Sequence, residues 1–177
     1  MTFLENTGRA VALSFLTLKS RFKNNPENFK KTIRNTSRVF ICLPANEQER
    51  DAAQNLFPEW KTCFPNAEII GMNPDSEQTP TDKRIITLEK HDINIWGIPG
   101  KRIKDLLVGK PVDIAIDLNR DYDAMSTLLV LMSRAHLRAG YFHEEKTRLY
   151  NFLLRTSPEK STQHAIQALL TYFKTIQ

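Results

Sequence analysis

Only two cysteines occur in the 177 residues, Cys42 and Cys63, and each lies in an apolar stretch. A disulfide-stapled scaffold is thereby excluded and buried thiols are the expected state. There is no C-x-x-C, and His91, His136, His143 and His164 are scattered with no pair at helical spacing, so no metal centre is expected. No run reaches the ~18 apolar residues of a spanning helix. The most apolar early stretch, Ala10 to Leu18, is interrupted by Ser14 and Thr17. It is also a poor secretory leader, because Glu5 precedes it and the basic residues follow it, so a cytoplasmic chain is expected. Phosphate-cradling glycine loops, a G-x-S-x-G elbow and the kinase motif set are all missing. So are internal repeats and low-complexity tracts.

What remains is an ordinary globular composition, 41% hydrophobic and 25% charged, with an uneven charge. Residues 1–38 carry eight basic and two acidic side chains, a net +6, whereas residues 39–177 carry a net −1. The +5 of the whole chain thus belongs to an N-terminal arm, and the body has no polyanion-binding character. Nucleic-acid binding is not expected, since no aromatic or base-reading constellation accompanies the basic residues. The domain division read from this is an arm and connector over 1–37 and a single domain over 38–177.

Within the arm, Leu4, Val11, Phe15, Leu18 and Phe22 recur at offsets of 7, 4, 3 and 4, which predicts an amphipathic helix. Lys19, Arg21 and Lys23 crowd its C-terminal end, where cations suit the helix dipole. Its apolar face has three expected partners: the body, a second copy of the chain, and an anionic membrane surface reached by peripheral binding. Lys23 to Ser37 reads as a polar connector.

From Arg38 onward, strand and helix signals alternate. Val39–Leu43 is a short continuous apolar run, the pattern of a strand covered on both faces. A helix is expected from Glu47 to Cys63, with Asn46 as N-cap and Pro58 as a point where it kinks or ends early. Strands are expected at Ala67–Met72, Arg84–Leu88, Val112–Leu118, His136–Tyr141 and Leu149–Leu154. Helices are expected at Lys101–Val108, Tyr122–Ala135 and, started by Ser157-Pro158-Glu159, to the C-terminus. The fold class is α/β: a Rossmann-like, doubly wound, mainly parallel sheet of five or six strands, with helices on both faces and an N-terminal amphipathic helix before it.

In such sheets ligands bind past the carboxyl ends of the strands, near the switch point. The first turn there reads Pro44-Ala45-Asn46-Glu47, with no glycine and with Glu47 and Glu49 in the first helical turns, which disfavours a nucleotide phosphate. Asp117, Asn119, Arg120, Asp121 and Asp123 form the densest polar cluster at a strand end. They suit either hydroxyl and anion binding, with Arg120 on the anion, or structure, with Asp121 or Asp123 capping the next helix and Asp117 tying the turn. Glu47 and Glu49 could act as acid or base, although acids at helix starts are common for dipole reasons. Arg138 and Tyr141 flank a strand end as further ligand contacts, and His143 reads as a solvated loop histidine. The residues singled out for ligand binding are Asn46, Glu47, Asn119, Arg120, Asp121 and Tyr141. No catalytic residue, metal or cofactor is assigned.

The stretch Pro111–Phe142 also resembles the N-terminal half of glycosyltransferase family nine, the ADP-heptose:lipopolysaccharide heptosyltransferases. The resemblance rests on the strand Asp113–Leu118, the polar turn Asn119–Asp121, the apolar helix around Met125, and Arg138-Ala139-Gly140-Tyr141; Pro65–Ile70 is similar to the family's second strand. It spans roughly residues 38–155. The family's first turn carries a glycine and an aspartate that serves as the base activating the acceptor; Asn46 and Glu47 stand there instead. The family's second, donor-binding domain has no counterpart in the expected layout. The resemblance therefore implies a stand-alone, non-catalytic relative with a binding or assembly role near the bacterial inner membrane. The alternative it implies is an acceptor-binding half that works with a separate donor-binding chain.

Overall fold

The computed structural model of this chain describes residues 7–14, 29–74 and 80–176. Residues 7–14 are helical (α1). The elements that follow are α2 (Phe29–Arg34), β1 (Arg38–Cys42), α3 (Glu47–Cys63), β2 (Glu68–Asn73), β3 (Ile85–Thr87), α4 (Lys101–Val108), β4 (Ile114–Asp117), α5 (Ala124–Met132), β5 (Leu137–Tyr141), β6 (Phe152–Leu154) and α6 (Thr162–Ile176). Short 3-10 turns at Lys90–Asp92 and Glu144–Lys146 complete the set. All six strands are parallel and lie in the order β3-β2-β1-β4-β5-β6, so the order reverses between β1 and β4. The expected parallel, doubly wound α/β domain is the architecture found.

The apolar run of β1 explains how the two layers form. Val39, Ile41 and Leu43 face one side, against Ile33 of α2, Phe57 and Trp60 of α3, and Ile166 and Phe173 of α6. Phe40 and Cys42 face the other, against Ile103 and Leu107 of α4 and Leu128 and Leu129 of α5. Every residue of β1 is buried, as a central strand covered on both faces requires. In β4 the same alternation sends Ile114 and Ile116 to the first layer and Ala115 to the second. Asp117, two residues on from Ala115, falls on the α5 side, and that places a carboxylate inside the protein.

Three local readings change. Pro58 lies within α3, which continues through it; Pro58 itself is exposed, while its neighbours Phe57 and Trp60 are fully buried and hold the helix on both sides of the missing N–H. Ser157-Pro158-Glu159 forms a turn, and α6 begins only at Thr162. The Arg120 guanidinium takes the carbonyls of Ser157 (3.0 Å), Pro158 (3.2 Å) and Lys160 (2.7 Å), which a helix would direct along its own axis, and Ser161 accepts from the His164 N–H as the helix cap. Finally, the polar connector contains α2, whose Ile33 is 3% exposed in the first core layer.

Of the residues expected to line the arm's apolar face, Leu4, Phe15, Leu18 and Phe22 lie outside the described residues. Val11 is 65% exposed, and it is Ala12 and Leu13 that pack on the second core layer. The helix is brought in by a close backbone approach: a Cβ on Gly8 would lie 2.2 Å from the Trp96 carbonyl oxygen. Arg9 Nε donates to the Gly97 carbonyl at 3.0 Å. No described helix is long and apolar enough to cross a membrane.

Candidate functional site

Asp117 ends β4 at the point where the strand order reverses, and neither it nor Lys146 has any side-chain exposure. Its Oδ2 accepts from Tyr150 Oη (2.8 Å), Lys146 Nζ (2.9 Å) and Ser126 Oγ (3.2 Å). Its Oδ1 accepts from the Asn119 backbone N–H (3.0 Å) and side-chain Nδ2 (2.8 Å). Lys146 Nζ donates further to the Asn119 carbonyl at 2.8 Å. Two opposite charges removed from water in this way persist only when their remaining valences are met, and here neutral donors surround the carboxylate while the ammonium also reaches the Asn119 carbonyl. Burial, and then the Asp117 charge, push the Tyr150 hydroxyl well above the usual phenol range. The Cys42 thiol is raised by burial first and by Asp117 second, so at neutral pH it is a protonated, unreactive group.

The β1–α3 turn next to it is filled from within. Asn46 takes extended backbone angles and its side chain accepts from the Glu49 N–H at 3.1 Å, the expected N-cap of α3. The Ala45 N–H donates to Asn119 Oδ1 at 2.8 Å. The Arg50 guanidinium, on a residue 1% exposed, donates to the carbonyls of Ala45 (2.9 Å) and Pro44 (3.4 Å). The Ala45 and Glu49 N–H groups, the kind of donor that holds a phosphate in a dinucleotide site, are therefore bonded to this chain's own side chains.

A cavity of about 660 Å³ opens past the carboxyl ends of β5 and β6. Glu49, Arg120, Asp121, Tyr141, His143 and Arg155 contribute to its walls. Tyr141 is 2% exposed and its hydroxyl is buried with no hydrogen-bond partner among the described residues. Burial pushes that hydroxyl far above the usual phenol range, against the nearby Arg120 charge. The Arg155 guanidinium lies over the Phe142 ring, 3.6 Å from its centroid. His143 caps a 3-10 turn through Nδ1, which accepts from the Glu145 N–H at 3.3 Å, and its ring lies 6.0 Å from that of Tyr122. It is half-buried rather than a free loop side chain.

Of the six residues singled out from sequence, three meet at this cavity: Arg120, Asp121 and Tyr141. Asn119 is 6% exposed and bridges the β1–α3 turn to Asp117. Asn46 and Glu47 are exposed at the start of α3 and do not line the cavity. Arg120 binds carbonyl oxygens rather than an acid, and the capping role falls to Asp123, whose Oδ1 accepts from the Ser126 N–H at 2.6 Å. Lys146, Tyr150, Arg50 and Arg155 were not singled out. Lys146 sits in a charged run, His143 to Arg148, that reads as solvated. The one available signal was Leu149-Tyr150 immediately after it, an apolar anchor that draws the run inward.

A family model described as "Family of unknown function (DUF6913)" matches residues 16–176. No curated protein matches the chain. Among solved structures, E. coli heptosyltransferase WaaC with ADP is 12% identical, with a TM-score of 0.52, over 76% of this chain and 46% of that one. A glycosyl transferase of family 9 from Veillonella parvula is 12% identical, with a TM-score of 0.53, over 80% of this chain and 42% of that one. At this identity the likeness is one of fold, and the chain spans less than half the length of either structure.

Proposed function

This chain belongs to the DUF6913 family, whose function is unknown, and from that premise we propose that it is a non-catalytic binding domain built on a heptosyltransferase-like fold. The observation that carries the reading is the closed β1–α3 turn, where the side-chain oxygens of Asn119 and Asn46 already accept from the Ala45 and Glu49 N–H groups that a phosphate would need. Supporting it, Asp117, the carboxylate that ends β4 at the switch point, is sealed off by Lys146, Tyr150, Ser126 and Asn119 and so cannot itself serve as a base for an acceptor. Asn46, at the place where the resembled family has its aspartate, is an amide whose oxygen already accepts from the Glu49 N–H. The test is titration calorimetry with ADP and ADP-sugars, together with an assay for sugar transfer to phosphorylated acceptors. No binding and no transfer are expected. Micromolar affinity for ADP or an ADP-sugar, about −8 kcal/mol, would overturn the reading, whereas transfer that appears only when a separate donor-binding chain is added would favour an acceptor-binding half.

The proposal includes a site of action at an anionic membrane surface. What supports it is the Asn94–Gly97 turn, whose Asn94 Oδ1 accepts from the N–H groups of Trp96 (2.9 Å) and Ile98 (3.1 Å). Beside α1 it leaves Ile95 76% and Trp96 46% exposed, with Lys101 and Lys104 exposed on the neighbouring α4. Apolar tips flanked by lysines suit the boundary of an anionic bilayer. Flotation with phosphatidylglycerol vesicles should carry the full chain and lose the Ile95→Ser/Trp96→Ser double variant. Equal behaviour of the two removes the membrane from the proposal.

A further inference from the structure

We infer that the cavity past β5 and β6 binds a small polyol bearing one phosphate or carboxylate group. The inference rests on the binding-domain reading and supplies the ligand class it leaves open. The wall offers three donors with no acceptor to serve among the described residues. The Tyr141 hydroxyl is buried and unpartnered, a state that costs free energy until something accepts from it. Arg155 makes no hydrogen bond or ion pair with a described residue, and its plane is fixed by stacking on Phe142, which leaves the guanidinium edge for an oxyanion. His143 accepts through Nδ1, which puts the proton of the neutral ring on Nε2 and makes that atom a donor. Arg120 adds positive charge that carbonyl dipoles, not a carboxylate, hold in place.

Two acids on the same wall decide the rest of the ligand. Glu49 has one oxygen occupied by Thr162 Oγ1 at 3.0 Å, and Asp121 is exposed at the cavity mouth. Carboxylates repel a bare anion but accept from hydroxyl groups, so the wall suits a molecule that is anionic at one end and hydroxylated at the other. The volume of about 660 Å³ fits a small molecule of this kind.

The experiment is NMR titration of the full chain with glucose 6-phosphate, gluconate, glucose and inorganic phosphate. Saturable shifts are expected for glucose 6-phosphate or gluconate, confined to the amides of residues 141–143 and 155–157. Glucose and inorganic phosphate should each bind at least about tenfold more weakly, since each lacks one half of the recognition. Arg155→Gln, an exposed substitution that leaves the core untouched, should weaken binding about tenfold. Tyr141→Phe should weaken it several-fold while unfolding at the same or a higher denaturant midpoint, a split that a merely structural tyrosine would not produce. No saturable shift with either hydroxylated anion, shifts that map elsewhere, or equal binding of inorganic phosphate overturns the inference. ADP-dependent shifts at residues 44–50 would instead overturn the binding-domain reading, and they are distinguishable by their position on the chain.

Discussion

Replacing Lys146 by methionine would keep the length and apolar stem of the side chain but leave Asp117 as an unpaired charge in the interior. Both side chains are fully buried and the Nζ–Oδ2 distance is 2.9 Å, so no water stands ready to replace the ammonium. Removing one partner of such a pair typically costs about 3–5 kcal/mol. The neutral donors Tyr150, Ser126 and Asn119 remain on the carboxylate, which points to the lower half of that range. For a domain of this size the loss corresponds to a fall in Tm of roughly 6–15 °C. Urea denaturation followed by far-UV circular dichroism measures it directly. The Asp117→Asn/Lys146→Met double variant should recover most of the loss, because no charge is stranded, the amide oxygen keeps the two Asn119 donors, and its NH2 can donate to the Tyr150 and Ser126 hydroxyls once these rotate to accept. A loss below about 1 kcal/mol for Lys146→Met, or a double variant no better than the single, would refute the assignment of this pair as buried and coupled.

Gly71→Ala places a Cβ 2.8 Å from Phe57 Cε2 and 2.9 Å from Ile85 Cγ1, and because Phe57 is fully buried the substitution should cost about 1–3 kcal/mol in denaturant titration. The Arg102 guanidinium, helped by the Glu89 N–H, holds the buried Asp92 carboxyl below its ordinary range. That contribution is present above the unfolded-state pKa of roughly 4 and is lost as pH falls through the lower folded value. The stability gap between wild type and Asp92→Asn should therefore be widest at neutral pH and shrink toward pH 3; a gap independent of pH contradicts it. Burial pushes the Cys63 thiol up to about 11 and the Cys42 thiol well above its usual range. A thiol-reactive chromogenic disulfide at pH 8 should thus leave native protein unlabelled and titrate two groups in urea.

The layered fold was legible because it depends on patterns that survive in one dimension. The continuous apolar run at Val39–Leu43 can only be satisfied between two helix layers, and Asn46 and Asp123 declare the helix starts that follow. The site was legible only as a place. Arg120, Asp121 and Tyr141 were flagged by lying at strand ends, yet what each does depends on partners far along the chain. Arg120 is used by carbonyls at Ser157–Lys160, and the same contacts overrule the Ser-Pro-Glu helix start. Lys146 was invisible for a similar reason. A lysine in a charged run is solvated by default, and only the fold brings Asp117, 29 positions earlier, to receive it. Side chains whose role is set by long-range pairing leave no local periodicity to read.

The two edge strands, β3 and β6, are each three residues long. A neighbouring chain that tried to extend the sheet would find only that short ladder of backbone groups on either side, too small a template for stable strand addition. The fold is thus protected against growth into continuous sheets, a hazard for any protein with long exposed β edges. Self-association is thereby steered toward side-chain surfaces, and among the described residues the Ile95–Trp96 turn, with Val11, Val108 and Tyr172, offers exposed apolar side chains for it.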